Sequence, residues 1–516
     1  MTVQQRDAEA EVEAEINDAS TVVENHKLER TPLPKLQLAI VFLIQFAEPV
    51  TATVIYPFIN QFVRETGITG GDETKTGYYA GIVESLFFFT ETATVFGWGW
   101  LSDILGRRPV LLLGPLGLSL SMLGFGFSTT YWPLFYFRAS QGFFNGNIGV
   151  SKSVMAEPWN QDLLQVQITD ETNIGDAYAL APLNWSLGVT IGPMLGGILS
   201  NAADRWPELF GKSEFIRSHP YFLPSASAAF IAFVSFAISA IALKETLPRN
   251  VLRDSWGHLI KKLNRPSNDE STALLAETDP VTYGTAASLE TAPPTLKHEP
   301  RPPISELLVP TYLYTILNYG LFAFVDMGMS ALIPLVYSTP IEYGGLGMDP
   351  FQIGTIMATV GMSSGILSAL FLGPVLRRYG PNRVFKVGLY SFFITYTALP
   401  MANMFARRAG GIDWRVISMI VLQFSAGFMF SPCYASMGIL VVQNAPSKQL
   451  LGAANGAAQM ITSGSRAFAP AIASSLFSLT MARNLLGGYM VYYIFLTLSV
   501  GLIFVSHLLP TPPRRA

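Results

Sequence analysis

Apolar residues in this chain fall into long runs separated by short polar stretches. A helix needs about 20 apolar residues to cross a bilayer. Twelve runs come close to that length: 36–58, 76–98, 109–128, 132–156, 177–202, 222–243, 309–337, 350–375, 382–402, 414–440, 450–477 and 485–508, numbered below as spans 1 to 12. Six lie before a polar stretch from Lys244 to Glu306, and six after it. The pattern predicts an all-α membrane protein with twelve transmembrane helices in two six-helix bundles. The expected divisions are an acidic tail (1–35), an N-terminal bundle (36–243), a linker (244–306), a C-terminal bundle (307–509) and a short tail (510–516). The linker is rich in Ser, Thr, Ala and Pro, lacks apolar periodicity and reads as mostly disordered. Within it, Glu270-Ser-Thr-Ala-Leu274-Leu275 has the spacing of an acidic dileucine signal, which a polar linker also produces by chance.

Composition agrees with the pattern. Of 516 residues, 50% are hydrophobic and 13% charged, against about 25% charged in soluble domains. The net charge of -3 says little, because charge position sets orientation. Arg107, Arg108, Lys261, Lys262, Arg377, Arg378, Arg383, Arg514 and Arg515 all fall on the side of the chain ends. The opposing loops hold Arg407, Arg408 and several charges over 203–221. The balance puts both termini in the cytoplasm. The N-terminal stretch lacks a basic region followed by an apolar core, so no cleavable signal peptide is expected and span 1 would direct insertion. A single cysteine, Cys433, excludes an intramolecular disulfide, and five scattered histidines form no metal cluster.

Between spans 2 and 3 lies Gly97-Trp-Gly-Trp-Leu-Ser-Asp103-Ile-Leu-Gly106-Arg107-Arg108-Pro109, read as a hairpin. Its glycines allow close helix approach, its arginines pin the turn to the inner face, and Asp103 can meet a positive helix end. This order resembles the signature between helices 2 and 3 of major facilitator superfamily transporters. Three further stretches are similar to motifs of the twelve-span drug:proton antiporter branch, in particular fungal members related to plant zinc-induced-facilitator-like carriers. They are Arg138-Ala-Ser-Gln141-Gly142 with Asn145 in span 4, Gly188-Val-Thr-Ile-Gly192-Pro193-Met-Leu-Gly196-Gly197 in span 5, and Asn455-Gly-Ala-Ala-Gln459 running on to Ser465-Arg466 in span 11. The resemblance covers nearly all of the chain outside the tails and linker. It implies alternating access between two halves, proton-coupled export, and a role for Arg138 in proton transfer through its charge on a nearby acid. Two features depart from the pattern. The second-half copy, Gly373-Pro-Val-Leu-Arg377-Arg378-Tyr-Gly380, lacks the acid, and residues 158–167 read as an insertion beside Glu157.

Ionisable groups inside apolar spans are costly and point to function. Glu48 lies near the middle of span 1, directly before Pro49, which loosens the helix ladder. It is read as a proton-coupling group, the alternative being permanent pairing with a neighbour such as Arg138. Glu84 and Glu91 share one face of span 2, about 10 Å apart along its axis. They can relay protons, fix a cationic substrate or hold helices together. Asp326 in span 7 is a further coupling candidate. Arg138 does not deprotonate and needs a partner at its depth. Gly188, Gly192, Pro193, Gly196 and Gly197 form a small-residue face for tight packing and for a rocking hinge. Asn455, Gln459 and Ser463 share a face, with Arg466 close by; with Gln141 and Asn145 these are the candidates for lining a substrate cavity, although Arg466 also has a purely structural reading. Gly97, Asp103, Gly106, Arg107, Arg108 and Glu157 form a candidate conformational latch, with Asp103 docking on the start of span 11. Aromatic runs such as Phe87-Phe88-Phe89 read mostly as lipid-facing.

The reading is a proton-coupled antiporter, acting as a monomer, that exports small organic compounds such as drugs or secondary metabolites across the plasma membrane rather than the vacuolar one. Its partners would be substrate, protons and lipid, with no nucleic acid. Alternatives of the same fold are a facilitator, a metabolite or metal-chelate carrier, and a non-transporting nutrient sensor. No phosphate-binding loop, nucleophile–base pair, cofactor site or metal cluster is visible, so ATP drive and enzymatic activity are not expected.

Overall fold

The computed structural model describes residues 35–156, 174–245, 304–447 and 450–510. Glu157, the segment 158–167, residues 246–303 of the linker with its dileucine-like stretch, and tail residues 1–34 and 511–516 lie outside the described residues, as do the side chains of Asp103 and of residues 174–183. No strand occurs among the described residues.

Span 1 runs Lys35–Thr53, breaks, and resumes as a short helix, Ile59–Glu65. Spans 2 and 3 are Thr76–Leu105 and Arg107–Phe127. Span 4 is split into Tyr131–Asn145 and Ile148–Ala156, and spans 5 and 6 are Ile174–Leu199 and Phe222–Ala242. Spans 7 and 8 are Pro310–Ser338 and Pro350–Tyr379. Span 9 comprises Pro381–Leu389 and Ser391–Ala409, and span 10 comprises Trp414–Gly427 and Phe430–Gln443. Spans 11 and 12 are Leu451–Ala482 and Met490–Ser506. Seven of these stretches are long and apolar enough to cross a membrane by length and composition, namely spans 1, 3, 6, 7, 8, 9 and 10.

The sequence places a hairpin at residues 97–109, and the structure corrects it. Span 2 stays helical to Leu105, and Gly106 alone reverses the chain at φ 101° before Arg107 starts span 3. Gly380 does the same at φ 76° between spans 8 and 9. Only glycine adopts this backbone without strain. The turn therefore survives in both halves although the acid occurs in one. The aromatic run also divides: Phe87 and Phe88 are buried and only Phe89 is exposed.

Each half has its own aromatic core. Tyr221 stacks between Phe58 and Phe62 at 5.1 and 4.4 Å in the first half. In the second, Tyr396 stacks on Phe495 at 5.3 Å, and Phe392 on Phe430 at 4.7 Å. The halves meet through span 2 against span 11 and span 5 against span 8. Lipid tails are as apolar as leucine, so close packing of small residues rather than water exclusion holds such seams. A Cβ on Gly354 of span 8 would lie 2.6 Å from the Cα of Gly197 in span 5. Two turns along, one on Gly361 would lie 3.1 Å from the Cα of Thr190, and one on Gly365 meets only the Ser186 hydroxyl, at 3.1 Å. Along the other seam, Gly77 and Gly81 press on Ser474 and Pro470, whereas Gly97, Gly99, Gly456 and Gly464 have nothing within 4 Å. The halves are thus wedged apart towards the side of the chain ends and closed on the far side.

Candidate functional site

Where span 1 breaks after Thr53, its last carbonyls lose their helical partners. Arg138, fully buried in span 4, takes them up. It donates to the carbonyls of Thr51 (3.3 Å) and Ala52 (3.0 Å) and to Gln141 Oε1 (2.8 Å), and lies 4.6 Å over the Phe87 ring. The alternative reading, a permanent ion pair of Arg138 with Glu48, is not met: among the described residues Arg138 forms no salt bridge. The guanidinium is held by main chain freed at residues 54–58, and the acid in its electrostatic range is Glu84. Gln141 is fully buried and committed to Arg138, and Asn145 donates to Glu91 Oε2 at 3.1 Å. Neither lines an open space in this conformation. Span 2 thus turns Glu84, Phe87 and Glu91 towards spans 1 and 4.

A second cluster sits at mid-depth between the halves. Asp326 of span 7 accepts the Tyr434 hydroxyl of span 10 at 2.9 Å. The Arg466 guanidinium of span 11 lies 5.7 Å from the Tyr434 ring and 5.4 Å from that of Trp185, which belongs to span 5 of the other half. Glu48 lies within electrostatic range of Arg466. Tyr56, after the span 1 break, is within range of Glu84, Arg138, Arg466 and Asp326 together. Of the predicted stripe on span 11, Gln459 and Ser463 hydrogen-bond each other at 3.2 Å, and Asn455 is exposed near the open end.

The glycine face of span 5 is divided in its contacts. Gly188, Gly192 and Gly196 pack on Pro49, Thr53 and Val54 of span 1, inside the first half. Gly197 and the Pro193 carbonyl instead press on Gly354 of the second half. At the turn motif, Arg107 donates to the Ser102 hydroxyl and Arg108 to the Ala240 carbonyl (2.7 Å). The backbone N–H groups of both donate to Glu245. On the closed side, Arg64 binds Glu73 (2.8 Å) and the Ser338 carbonyl (2.8 Å), and Arg205 pairs with Asp349 (3.6 Å) over the Phe351 ring (4.0 Å).

Sequence reasoning missed Tyr56, Trp185, Tyr434 and Glu245. The three aromatics carry no signal in an aromatic-rich chain, and Glu245 stands at the edge of a polar stretch.

A Major Facilitator Superfamily model matches residues 41–470. The chain belongs to the major facilitator superfamily. It is 31% identical over 501 residues to the Major facilitator-type transporter psiT2 of Psilocybe cyanescens, spanning 92% of this chain and 90% of that protein. It is 28% identical to the multidrug transporter mfsB of Aspergillus fumigatus, spanning 88% and 80%, and 28% identical to ZINC INDUCED FACILITATOR 1 of Arabidopsis thaliana, spanning 92% and 91%. Among solved structures, the D-xylose-proton symporter has the same fold, with a TM-score of 0.61 at 12% identity over 93% of this chain and 98% of the symporter. The superfamily protein is a multi-pass membrane transporter, not an enzyme, and has the major facilitator fold.

Proposed function

We propose that this transporter is a proton-coupled antiporter that exports small organic compounds from the cytosol. The observation that carries the reading is the convergence at mid-depth of Glu48, Glu84 and Asp326 with Arg138 and Arg466, between halves wedged open on one side. Buried acids beside fixed cations can take up and release protons as the cavity changes sides. The positive-inside tendency makes the open side cytoplasmic, so the conformation is inward-facing and ready to load substrate. Relatives named as a multidrug transporter and as an efflux pump, the latter azaK of Aspergillus niger at 25% identity, support export. Glu48 is the first choice as proton carrier, with Glu84 or Asp326 as its relay; Glu91, tied to Asn145, has the more structural place.

In this reading the two bundles, 36–243 and 307–509, rock about the central site in a monomer at the plasma membrane. Asp103 closes the cytoplasmic side by docking on the start of span 11. The test is flux in proteoliposomes with an imposed pH gradient, across a panel of organic cations, anions and neutral compounds. Glu48→Gln abolishes pH-driven flux and leaves substrate counterflow. Intact pH-driven flux in that variant sinks the coupling role of Glu48, and a panel indifferent to the gradient sinks antiport. Asp103→Asn slows turnover without changing substrate binding; equal rates would remove the latch.

A further inference from the structure

We infer that the Arg466 guanidinium, at the meeting of the two halves, recognises an aromatic organic anion, with the anionic group on the guanidinium and the ring against Trp185 and Tyr434. Arg138 and Arg466, the arginines of the two mid-depth clusters, are held in opposite ways. Arg138 spends its donors on two main-chain carbonyls and Gln141 and is fully buried. Arg466 keeps part of its surface open at the meeting of the halves and has no ion pair among the described residues. Two acids reach it only electrostatically. Asp326 is engaged by the Tyr434 hydroxyl at 2.9 Å, and Glu48 acts through its charge from span 1. A guanidinium is a planar donor fork that matches a carboxylate or sulfonate in a bidentate way, and it gains most where water is scarce.

The rings add the second half of the recognition. Trp185 and Tyr434 flank the guanidinium at 5.4 and 5.7 Å and come from different halves, so a ligand whose anionic group meets the edge of the guanidinium has an aromatic ring from each half within reach of its own. Offset stacking of this kind rewards an aromatic over an aliphatic ligand. Because Trp185 and Arg466 sit on spans 5 and 11, such a ligand contacts both halves at once.

This inference rests on the reading of the central cavity as the transport site. Its test is equilibrium binding to the full-length purified protein in detergent, with no pH gradient, so a failure of proton coupling leaves it untouched. The probes are naphthalene-2-carboxylate, naphthalene-2-sulfonate, neutral 2-naphthol, naphthalen-2-ylmethylammonium and hexanoate. Both aromatic anions bind at least about tenfold more tightly than the alcohol, the ammonium and hexanoate. Arg466→Gln removes the anion preference, Arg466→Lys restores part of it, and Trp185→Ala lowers the preference for naphthalene-2-carboxylate over hexanoate while keeping charge selectivity. Elution as a single monodisperse species establishes that each variant is folded. Tighter binding of the ammonium, no binding of either anion, or unchanged anion affinity in both Arg466 variants overturns the inference.

Discussion

The Glu245 carboxylate closes the start of span 3: one oxygen accepts the backbone N–H of Arg107 and the other that of Arg108, both at 3.0 Å. Glu245 follows span 6, so this cap ties together the two ends of the four-span stretch from span 3 to span 6. A negative side chain at a helix N-terminus satisfies free N–H groups and opposes the positive end of the helix dipole. Glu245→Ala should cost about 1 kcal/mol of stability, seen as a lower unfolding temperature in detergent. The second half joins the start of span 9 to the end of span 12 differently: the Asn382 amide donates to the Pro510 carbonyl at 3.0 Å and caps no helix N–H, so Asn382→Ala should cost less.

Arg138→Lys should not be conservative. Lysine offers no fork to reach the Thr51 and Ala52 carbonyls together with Gln141. Each buried acceptor left without a donor costs about 1–3 kcal/mol, so the variant should lose about 2 kcal/mol or more. Thermal unfolding of both Lys and Gln variants checks this. Stability equal to the parent would show that the carbonyls find other donors.

Gly354→Ala should force the closed side apart. Its new methyl would lie 2.6 Å from both the Cα of Gly197 and the carbonyl of Pro193, and backbone cannot yield as a flexible side chain does. The readout is thiol labelling at Ser474→Cys in the far-side seam. Background is low because Cys433, the single native cysteine, is buried. Labelling should rise several-fold; an unchanged rate would mean the seam is not what seals that side.

Arg205→Ala should move the same equilibrium less. The pair with Asp349 is part-exposed, and such pairs contribute about 0.2–1 kcal/mol. The contact over Phe351 adds about 0.5–1 kcal/mol. The combined loss is a few-fold change in the same labelling assay. A double-mutant cycle with Asp349→Ala separates the ion pair from the ring contact.

In the loop after span 1, the hydrogen bond from the Thr74 side chain holds the Asp72 carboxyl below its ordinary range, helped by the Thr74 backbone N–H and Lys75. A carboxyl depressed in the folded state adds stability above its unfolded value, and that stability is lost as pH falls through the folded value. Asp72→Asn should therefore lower stability slightly at neutral pH and leave it unchanged at strongly acid pH. Stability profiles of parent and variant against pH should converge on acidification.

Some of this was legible beforehand. Runs of about 20 apolar residues set out the twelve spans to within a few residues at most ends, because a helix crossing lipid must be apolar along its own length. Glu48, Glu84, Glu91, Arg138 and Asp326 stood out because charge in an apolar run is rare. The partners were not legible. Arg138 looked destined for a carboxylate, yet takes carbonyls exposed by a helix break that no local pattern announced. The glycine stripe of span 5 looked like one surface and serves two neighbours.

The sequence by itself determined the helices, their grouping in two sixes and the family. All of these follow from residues close in the chain, through helical periodicity. Only the tertiary structure decided that Trp185 faces Arg466, that Tyr434 engages Asp326, and that the halves are closed on the far side and open towards the chain ends. Those relations join residues from different spans, and two of them cross between the halves. They depend on how rigid helices lean against one another, which no spacing within a single helix encodes.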